Sequence, residues 1–492
     1  DTACHARLPA AAASIMTPSD DRSVADGWPS PRVSALLLAL YLLQGLTFGL
    51  VNGSLPVLLA RRTTYSQLGV LSLSTWPYVL KGLFGPLVDV YWSHALGRRK
   101  SWVLPCTLLS GAVLALLAAS IDELVEAGSV YMLSGCFFVA ISCLAAQDVA
   151  VDAWAVELLA RKQLAFASVF QTLGMSLGNV LGHPVVLILA APAAADAAGG
   201  ARSSIASLRA VLWAMALAHV VTAGAAATAP DSADARRPSL RDVFGRLLEL
   251  AVAKDTTLIA AICAVQRVGV AVLDGCAEVY YMHLDGASPD QLAMFAAVLA
   301  PVAVGASIVA ARLLGRDDSS QHLQHLMLRG YGLLLCCGAA IPAVLVYHSV
   351  GSLPSTLLLL CLFVAYAVSN KLWWTAQGAL FNTLVAGPRD QQVRASHLTL
   401  LNALSNVGKF WPKPLALVAV DSVGFGLTST LFVGLGVASW PAVLALVRQL
   451  LLQYSATLGE DGGCRDIPWE DAEGADDDER MPDEERSLVG GR

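Results

Sequence analysis

Two carboxylates lie four residues apart near the end of a long apolar run. They are Asp148 and Asp152, which share one face of a helix at this spacing. A charge at the centre of a bilayer costs at least about 2.5 kcal/mol, so acids at this depth need partners. The basic stretch that contains Arg98 and Arg99 follows Asp89 and offers such partners. We predict that ion pairs join these five residues.

Two interpretations of these ion pairs remain open. In one, the pairs only fasten helix ends at the membrane surface. In the other, they close one side of a transport pathway and break when it opens, because acids inside membrane segments usually mark such pathways. The second interpretation makes Asp89, Arg98, Arg99, Asp148 and Asp152 gating residues.

Four bases lie well inside predicted helices and indicate an anionic ligand. They are Lys81, Arg267, Lys371 and Lys409, each about 10 or more residues from one helix end and so too deep for an ordinary loop charge. The alternative is that a long side chain reaches back to the membrane surface, which suits Lys81 better than Arg267 or Lys371. Several cations without acids in the same layer favour a ligand with several negative charges.

Aromatic and amide side chains lie close to these bases in the sequence. Trp76 and Trp411 are candidates for stacking on a nucleobase, a contact that contributes about 1–3 kcal/mol. Packing in the core or against lipid is the alternative for both. Asn402 and Asn406 share one helix face, and either contact a ligand or form hydrogen bonds between helices.

The composition is that of a membrane protein with many spans. Of 492 residues, 56% are hydrophobic and 14% are charged. The net charge of −6 comes from the C-terminal stretch after 454, which holds thirteen acids and four bases, so the rest of the chain carries +3. We predict that this acidic tail is disordered. No disulfide framework, metal site, cofactor or nucleic-acid partner is predicted.

The elements that position these residues are twelve apolar runs. We predict an all-α fold with a disordered arm (1–31), a six-helix bundle (32–228), a cytosolic connector (229–254), a second six-helix bundle (255–450) and the acidic tail (451–492). Basic residues concentrate in alternate loops, which places both termini in the cytosol by the positive-inside rule.

The two bundles have corresponding residues. Gln44 and Asn52 in the first run are spaced like Gln266 and Asp274 in the seventh, and similar matches link the second run to the eighth and the fifth to the eleventh. Two parallel six-helix repeats are typical of the major facilitator fold, whose binding site lies between the halves near the membrane midplane.

Several motifs resemble the acetyl-coenzyme A transporter family. They are Trp-Pro at 76–77, Pro-Leu-Val-Asp at 86–89, Gly-Arg-Arg-Lys-Ser-Trp at 97–102, Gln-Asp-Val-Ala-Val-Asp-Ala-Trp at 147–154, Thr-Leu-Leu-Asn at 399–402 and Trp-Pro at 411–412. The resemblance extends from about 40 to 422. The sequence departs from the family pattern at Ala153, where glycine is expected. It also departs at Lys371, Lys409 and Lys413, where the family residues are not basic.

The resemblance implies transport of acetyl-coenzyme A (acetyl-CoA) from the cytosol into the lumen of the endoplasmic reticulum, in exchange for CoA. Lys81 and Arg267 would then hold the phosphates of acetyl-CoA, which carry roughly four negative charges. Lys371 and Lys409 are further candidates for this site, and as departures from the family pattern they could instead alter the substrate preference. The predicted partners are acetyl-CoA, CoA and the lipid bilayer, and a homodimer is one arrangement left open. The predicted location is the endoplasmic reticulum membrane.

Two other functions stay open beside this one. A proton-coupled permease for peptidoglycan fragments or another solute would use the same fold. A membrane-embedded acetyltransferase would need a buried general base, and the candidates are His183, His219 and His397. None of these histidines has an acidic partner at helical spacing, so a transporter is favoured over an enzyme.

Overall fold

The computed structural model is helical nearly throughout, and the residues that it describes contain no β-strand. These residues are 29–160, 163, 165–189, 202–231, 239–285, 287–314, 319–347, 353–385 and 391–460. The acidic segment 461–492 and most of the predicted N-terminal arm lie outside them. The predicted all-α class is confirmed.

The first half of the described chain consists of six helices, three of which (α1, α2 and α5) are built from several segments. They are α1 (Pro31–Leu59), α2 (Tyr65–Ser72, Trp76–Val79 and Lys81–Val90), α3 (Lys100–Glu126), α4 (Val130–Leu158), α5 (Ala165–Val180, Leu181–Val185 and Val186–Leu189) and α6 (Arg202–Thr228).

The second half of the described chain follows a short connector helix, α7 (Leu240–Ala251). Its spans are α8 (Lys254–Tyr281), α9 (Pro289–Leu314), α10 (Ser319–Tyr347), α11 (Leu353–Val385), α12 (Gln391–Phe410 and Pro412–Val423) and α13 (Phe425–Glu460). The last helix continues beyond 450, where the sequence predicted that the tail begins, so residues 451–460 are helical rather than disordered.

Ten helices in the described residues are long and apolar enough to cross a membrane. The other two predicted runs form α2 and α12, which are interrupted near Pro77 and Pro412. Proline has no backbone N–H and its ring clashes with the preceding turn, so it breaks a helix at such positions. The count of twelve membrane spans therefore stays a prediction.

Helices α1 and α5 pack with their backbones in contact. Both contain a short π-helical segment, Leu50–Ser54 and Leu181–Val185, and these segments lie against each other. A Cβ atom on Gly45 would collide with the carbonyl of Met175, and one on Gly178 would collide with the carbonyl of Leu42. Glycine is required here because only a residue without a side chain permits so close an approach.

The buried clusters show how the two halves meet. We call the membrane face at which α1 begins the start face and the opposite one the far face. Near the far face one buried cluster combines Leu50 and Leu55 of α1 with Tyr281 of α8 and Leu417 of α12. Nearer the start face each half has its own cluster. The halves therefore share one buried cluster near the far face, whereas nearer the start face their buried clusters are separate.

Each half also contains a buried pair of glutamines between its first and fourth helices. Gln44 Nε2 donates to Gln147 Oε1 (3.3 Å) in the first half, and Gln377 Nε2 donates to Gln266 Oε1 (2.9 Å) in the second. All four side chains are almost completely buried. The pairs occupy corresponding places in the two halves and support the predicted internal repeat.

Candidate functional site

A cavity of about 350 Å³ lies between the two halves, at the level where their buried clusters separate. Helices α1, α2, α4 and α5 line it on one side, and α11 and α12 line it on the other. Its polar side chains include Lys81, Asp148 and Gln171 from the first half, and Asn402 and Lys409 from the second. We call it the central cavity. Asn406 also lines it.

The cation and the acid of the first half form an ion pair in the cavity wall. Lys81 Nζ lies 3.1 Å from Asp148 Oδ2, and the two side chains are 12% and 4% exposed. Asp152, one helical turn further, accepts hydrogen bonds from Tyr41 Oη (2.7 Å) and Gln171 Nε2 (2.9 Å). The buried acids are thus compensated within the first half itself.

The second half presents a cation without a described carboxylate partner. Lys409 is exposed toward the cavity, with Nζ 5.1 Å from the centroid of the Phe410 ring. Asn402 and Asn406 lie on the same face of α12 as Lys409, because they precede Lys409 by seven and three residues. This helix face therefore offers one ammonium group and two amides to a ligand in the central cavity.

A second cavity of about 350 Å³ lies on the far-face side of the molecule. It contains Lys371, which is half-buried and for which no ion pair is described, together with Asp274, Glu278 and His183. His183 Nε2 of the first half approaches Glu278 Oε2 of the second at 3.6 Å. Lys371, one of the four bases predicted to bind the ligand, therefore lies in this second cavity and not in the central cavity.

Arg267 is occupied by protein partners. The guanidinium is only 2% exposed, with one nitrogen 2.5 Å from Asp274 Oδ2 and 3.0 Å from Tyr366 Oη, and another 2.9 Å from Asn370 Oδ1. Its Nη donors are therefore already used within the second half. The structure places it among these groups and not in the lining of the central cavity.

The predicted gate residues form two separate groups rather than one. Arg99 bridges Asp89 Oδ1 (3.2 Å) and Glu157 Oε1 (2.8 Å), and Arg98 also contacts Asp89 (2.8 Å). The predicted pairing of Arg98 and Arg99 with Asp148 and Asp152 is therefore wrong. The helix geometry gives the reason: Asp148 lies nine residues before Glu157 on α4, about 14 Å deeper in the membrane.

A carboxylate from outside the predicted set completes the cluster at the start face. Asp231, three residues after α6, accepts hydrogen bonds from the backbone N–H groups of Arg99 (2.9 Å) and Lys100 (2.8 Å). A carboxylate at a helix N-terminus is favourable because it satisfies unpaired N–H groups and matches the helix dipole. This charge cluster ties α2, α3, α4 and the chain after α6 together.

The predicted tryptophans lie outside the lining of the central cavity. Trp411 occupies the break in α12 and donates from Nε1 to the carbonyl of Ala264 (3.0 Å). Trp76 begins the middle segment of α2, beside the cavity residue Tyr78. The aromatic groups that do line the cavity include Trp374 and Phe48.

Similar folds have been found in transporters of known structure. A D-xylose-proton symporter superposes with a TM-score of 0.61 at 13% sequence identity, covering 84% of this chain and 96% of that one. The anhydromuropeptide permease of Escherichia coli is 31% identical over 159 residues, which is 32% of this chain and 31% of the permease. Together with the two packed halves, the structural similarity shows that this chain has the fold of such transporters.

The family model for Acetyl-coenzyme A transporter 1 matches residues 33–196. The resemblance predicted from the sequence motifs is thereby confirmed for this part of the chain, which is similar to the acetyl-CoA transporters. An uncharacterized protein of Schizosaccharomyces pombe is 26% identical over 400 residues, which is 80% of this chain and 75% of that protein.

Proposed function

We propose that this protein carries acetyl-CoA across the endoplasmic reticulum membrane, from the cytosol to the lumen, in exchange for CoA. The observation that carries the proposal is the central cavity, where Lys409 has no described acidic partner and Asn402 and Asn406 lie beside it. The match of residues 33–196 to the acetyl-CoA transporter model supports the choice of substrate.

The charge in the cavity suits a phosphate-bearing ligand. Lys409 supplies one uncompensated positive charge, and Lys81 is shared with Asp148. A phosphate that approaches Lys81 competes with Asp148 for the ammonium group, which lowers the affinity in this part of the cavity. A moderate affinity suits a carrier, since the ligand must leave on the opposite side. Trp374 and Phe48 add apolar surface for an adenine ring.

The packing of the halves supports alternating access. The shared cluster near the far face keeps the halves together there, and the central cavity lies where they separate. We propose that the start face is cytosolic, as the basic loops predict, and that rocking of the halves closes that face and opens the other.

The direct test is uptake of labelled acetyl-CoA into proteoliposomes loaded with CoA. Lys409→Gln should raise the KM for acetyl-CoA about tenfold or more, because a hydrogen bond to a charged group contributes about 1.5–3 kcal/mol. Lys254→Gln is the matched control, since Lys254 is an exposed lysine at the start of α8, away from the cavity. Equal KM values for the two variants would reject the site.

A second candidate is a proton-coupled permease for another solute. The similarity to the anhydromuropeptide permease favours it, and so do the acids Asp148, which is buried, and Asp152, which is half-buried. The same vesicles separate the two functions. Exchange predicts uptake that requires internal CoA and is unaffected when a pH gradient is collapsed. A permease predicts uptake that follows the pH gradient and ignores internal CoA.

A further inference from the structure

The connector helix α7, Leu240–Ala251, joins the two halves and has apolar residues on two different sides. One side faces the transporter: Leu250 is buried, Val243 and Leu247 are half-buried, and the helix packs against α2 and α12. The other side is uncovered by any residue that the structure describes.

The uncovered side is a continuous apolar stripe. Phe244, Leu248 and Val252 follow one another at intervals of four residues, so they lie on one face, and they are 38%, 65% and 68% exposed. The exposed carboxylates of the same helix, Asp242 and Glu249, lie on a different side of the helix from this stripe. Three large apolar side chains in a row are unfavourable in water.

The position of the stripe in the chain identifies what covers it. Val252 precedes Lys254, the first residue of the membrane span α8, by only two residues, a distance of about 7 Å even for extended chain. The stripe therefore cannot lie far from the level at which α8 enters the bilayer. Arg241 lies three residues before Phe244 and seven before Leu248, so its guanidinium is on the same side as the stripe.

We propose that the stripe formed by Phe244, Leu248 and Val252 is seated in the membrane surface at the start face, with Arg241 against lipid phosphates. A helix with one apolar side and basic residues at its margin lies in the plane of the interface, with its apolar side chains roughly 5–10 Å below the headgroup boundary. Because α7 also packs on α2 of one half and α12 of the other, this helix would link both halves to the membrane surface.

The test uses the full-length protein in phosphatidylcholine vesicles. A fluorescent amino acid is incorporated at position 248, and, as the matched control, at 249 on the polar side. Nitroxide-labelled lipids report contact with the acyl region, and aqueous iodide reports contact with water. The probe at 248 should be quenched by the labelled lipids and protected from iodide, and the probe at 249 should show the reverse.

Two results would overturn the proposal. Equal iodide quenching at 248 and 249 would mean that the stripe lies in water. Protection of 248 from both quenchers would mean that protein covers it and would refute the lipid contact. A probe at Phe244 repeats the measurement, so that misfolding of one labelled protein leaves a second reading of the same stripe. Arg241→Gln should reduce lipid quenching at 248 and increase iodide quenching there.

Discussion

Substitutions in the ion pair between Lys81 and Asp148 can distinguish a role in protein stability from a role in substrate binding. Its atoms are 3.1 Å apart and the side chains are 12% and 4% exposed. At an effective dielectric constant of about 20, the attraction is about 5 kcal/mol, of which loss of hydration cancels a large part. Removal of one partner leaves the other charge unpaired in the cavity wall. We expect Lys81→Met or Asp148→Leu alone to lower the free energy of unfolding by about 3 kcal/mol.

The double variant Lys81→Met/Asp148→Leu gives the decisive result. It replaces both charges by apolar groups of similar volume, so most of the lost stability should return. The affinity for acetyl-CoA should not return, because the ammonium group that we propose for a phosphate is still absent. Denaturant unfolding in detergent measures the first quantity, and calorimetric titration with acetyl-CoA measures the second.

Two outcomes would refute this reasoning. Single variants that unfold like wild type would show that cavity water already screens the pair. Recovery of both stability and affinity in the double variant would show that Lys81 has only a structural role, and Lys409 would then remain as the cation of the central cavity.

Three further predictions concern other parts of the chain. Gly178→Ala should prevent α1 and α5 from packing and reduce the yield of monodisperse protein. The control Gly135→Ala, where a Cβ meets nothing within 4 Å, should leave the yield unchanged. Similar yields for the two variants would contradict the role of backbone contact. Glu157→Gln should destabilise the protein by about 1 kcal/mol or less, because this carboxylate is 34% exposed, and the exchange Arg99→Glu/Glu157→Arg should restore part of that loss in thermal unfolding. Removal of residues 461–492 should leave acetyl-CoA uptake per inserted molecule unchanged, since this composition cannot bury an apolar core; lost uptake with normal insertion would reveal a function for the tail.

Apolar runs predicted the helices well because a membrane span must bury its backbone groups by forming a helix. The interruptions of α2 and α12 were visible in principle at Pro77 and Pro412, since proline breaks the hydrogen-bond ladder. Which side of each break remains helical depends on neighbouring helices, and hydropathy carries no information about them. The start of the tail was misjudged for a similar reason, because residues 451–460 continue the helix α13.

The site was predicted less well, because pairing depends on depth and rotation as well as on charge. The sequence singled out Lys81 and Asp148 as charges within apolar runs, but it did not pair them with each other as the structure does. Nothing in their separation along the chain shows that α2 and α4 face each other at that level. For Arg99, the better signal was Glu157, which lies at the end of α4, near the membrane face to which the basic loop belongs.

The buried glutamine pairs have a mechanical consequence. A hydrogen bond between two amides loses most of its energy after a small displacement, and inside a low-dielectric core no water replaces it. We therefore expect these hydrogen bonds to resist sliding of the first helix against the fourth in each half. The pairs are Gln44 with Gln147 and Gln266 with Gln377. We therefore predict that each half moves as a rigid unit and that relative motion is confined to the contacts between the halves.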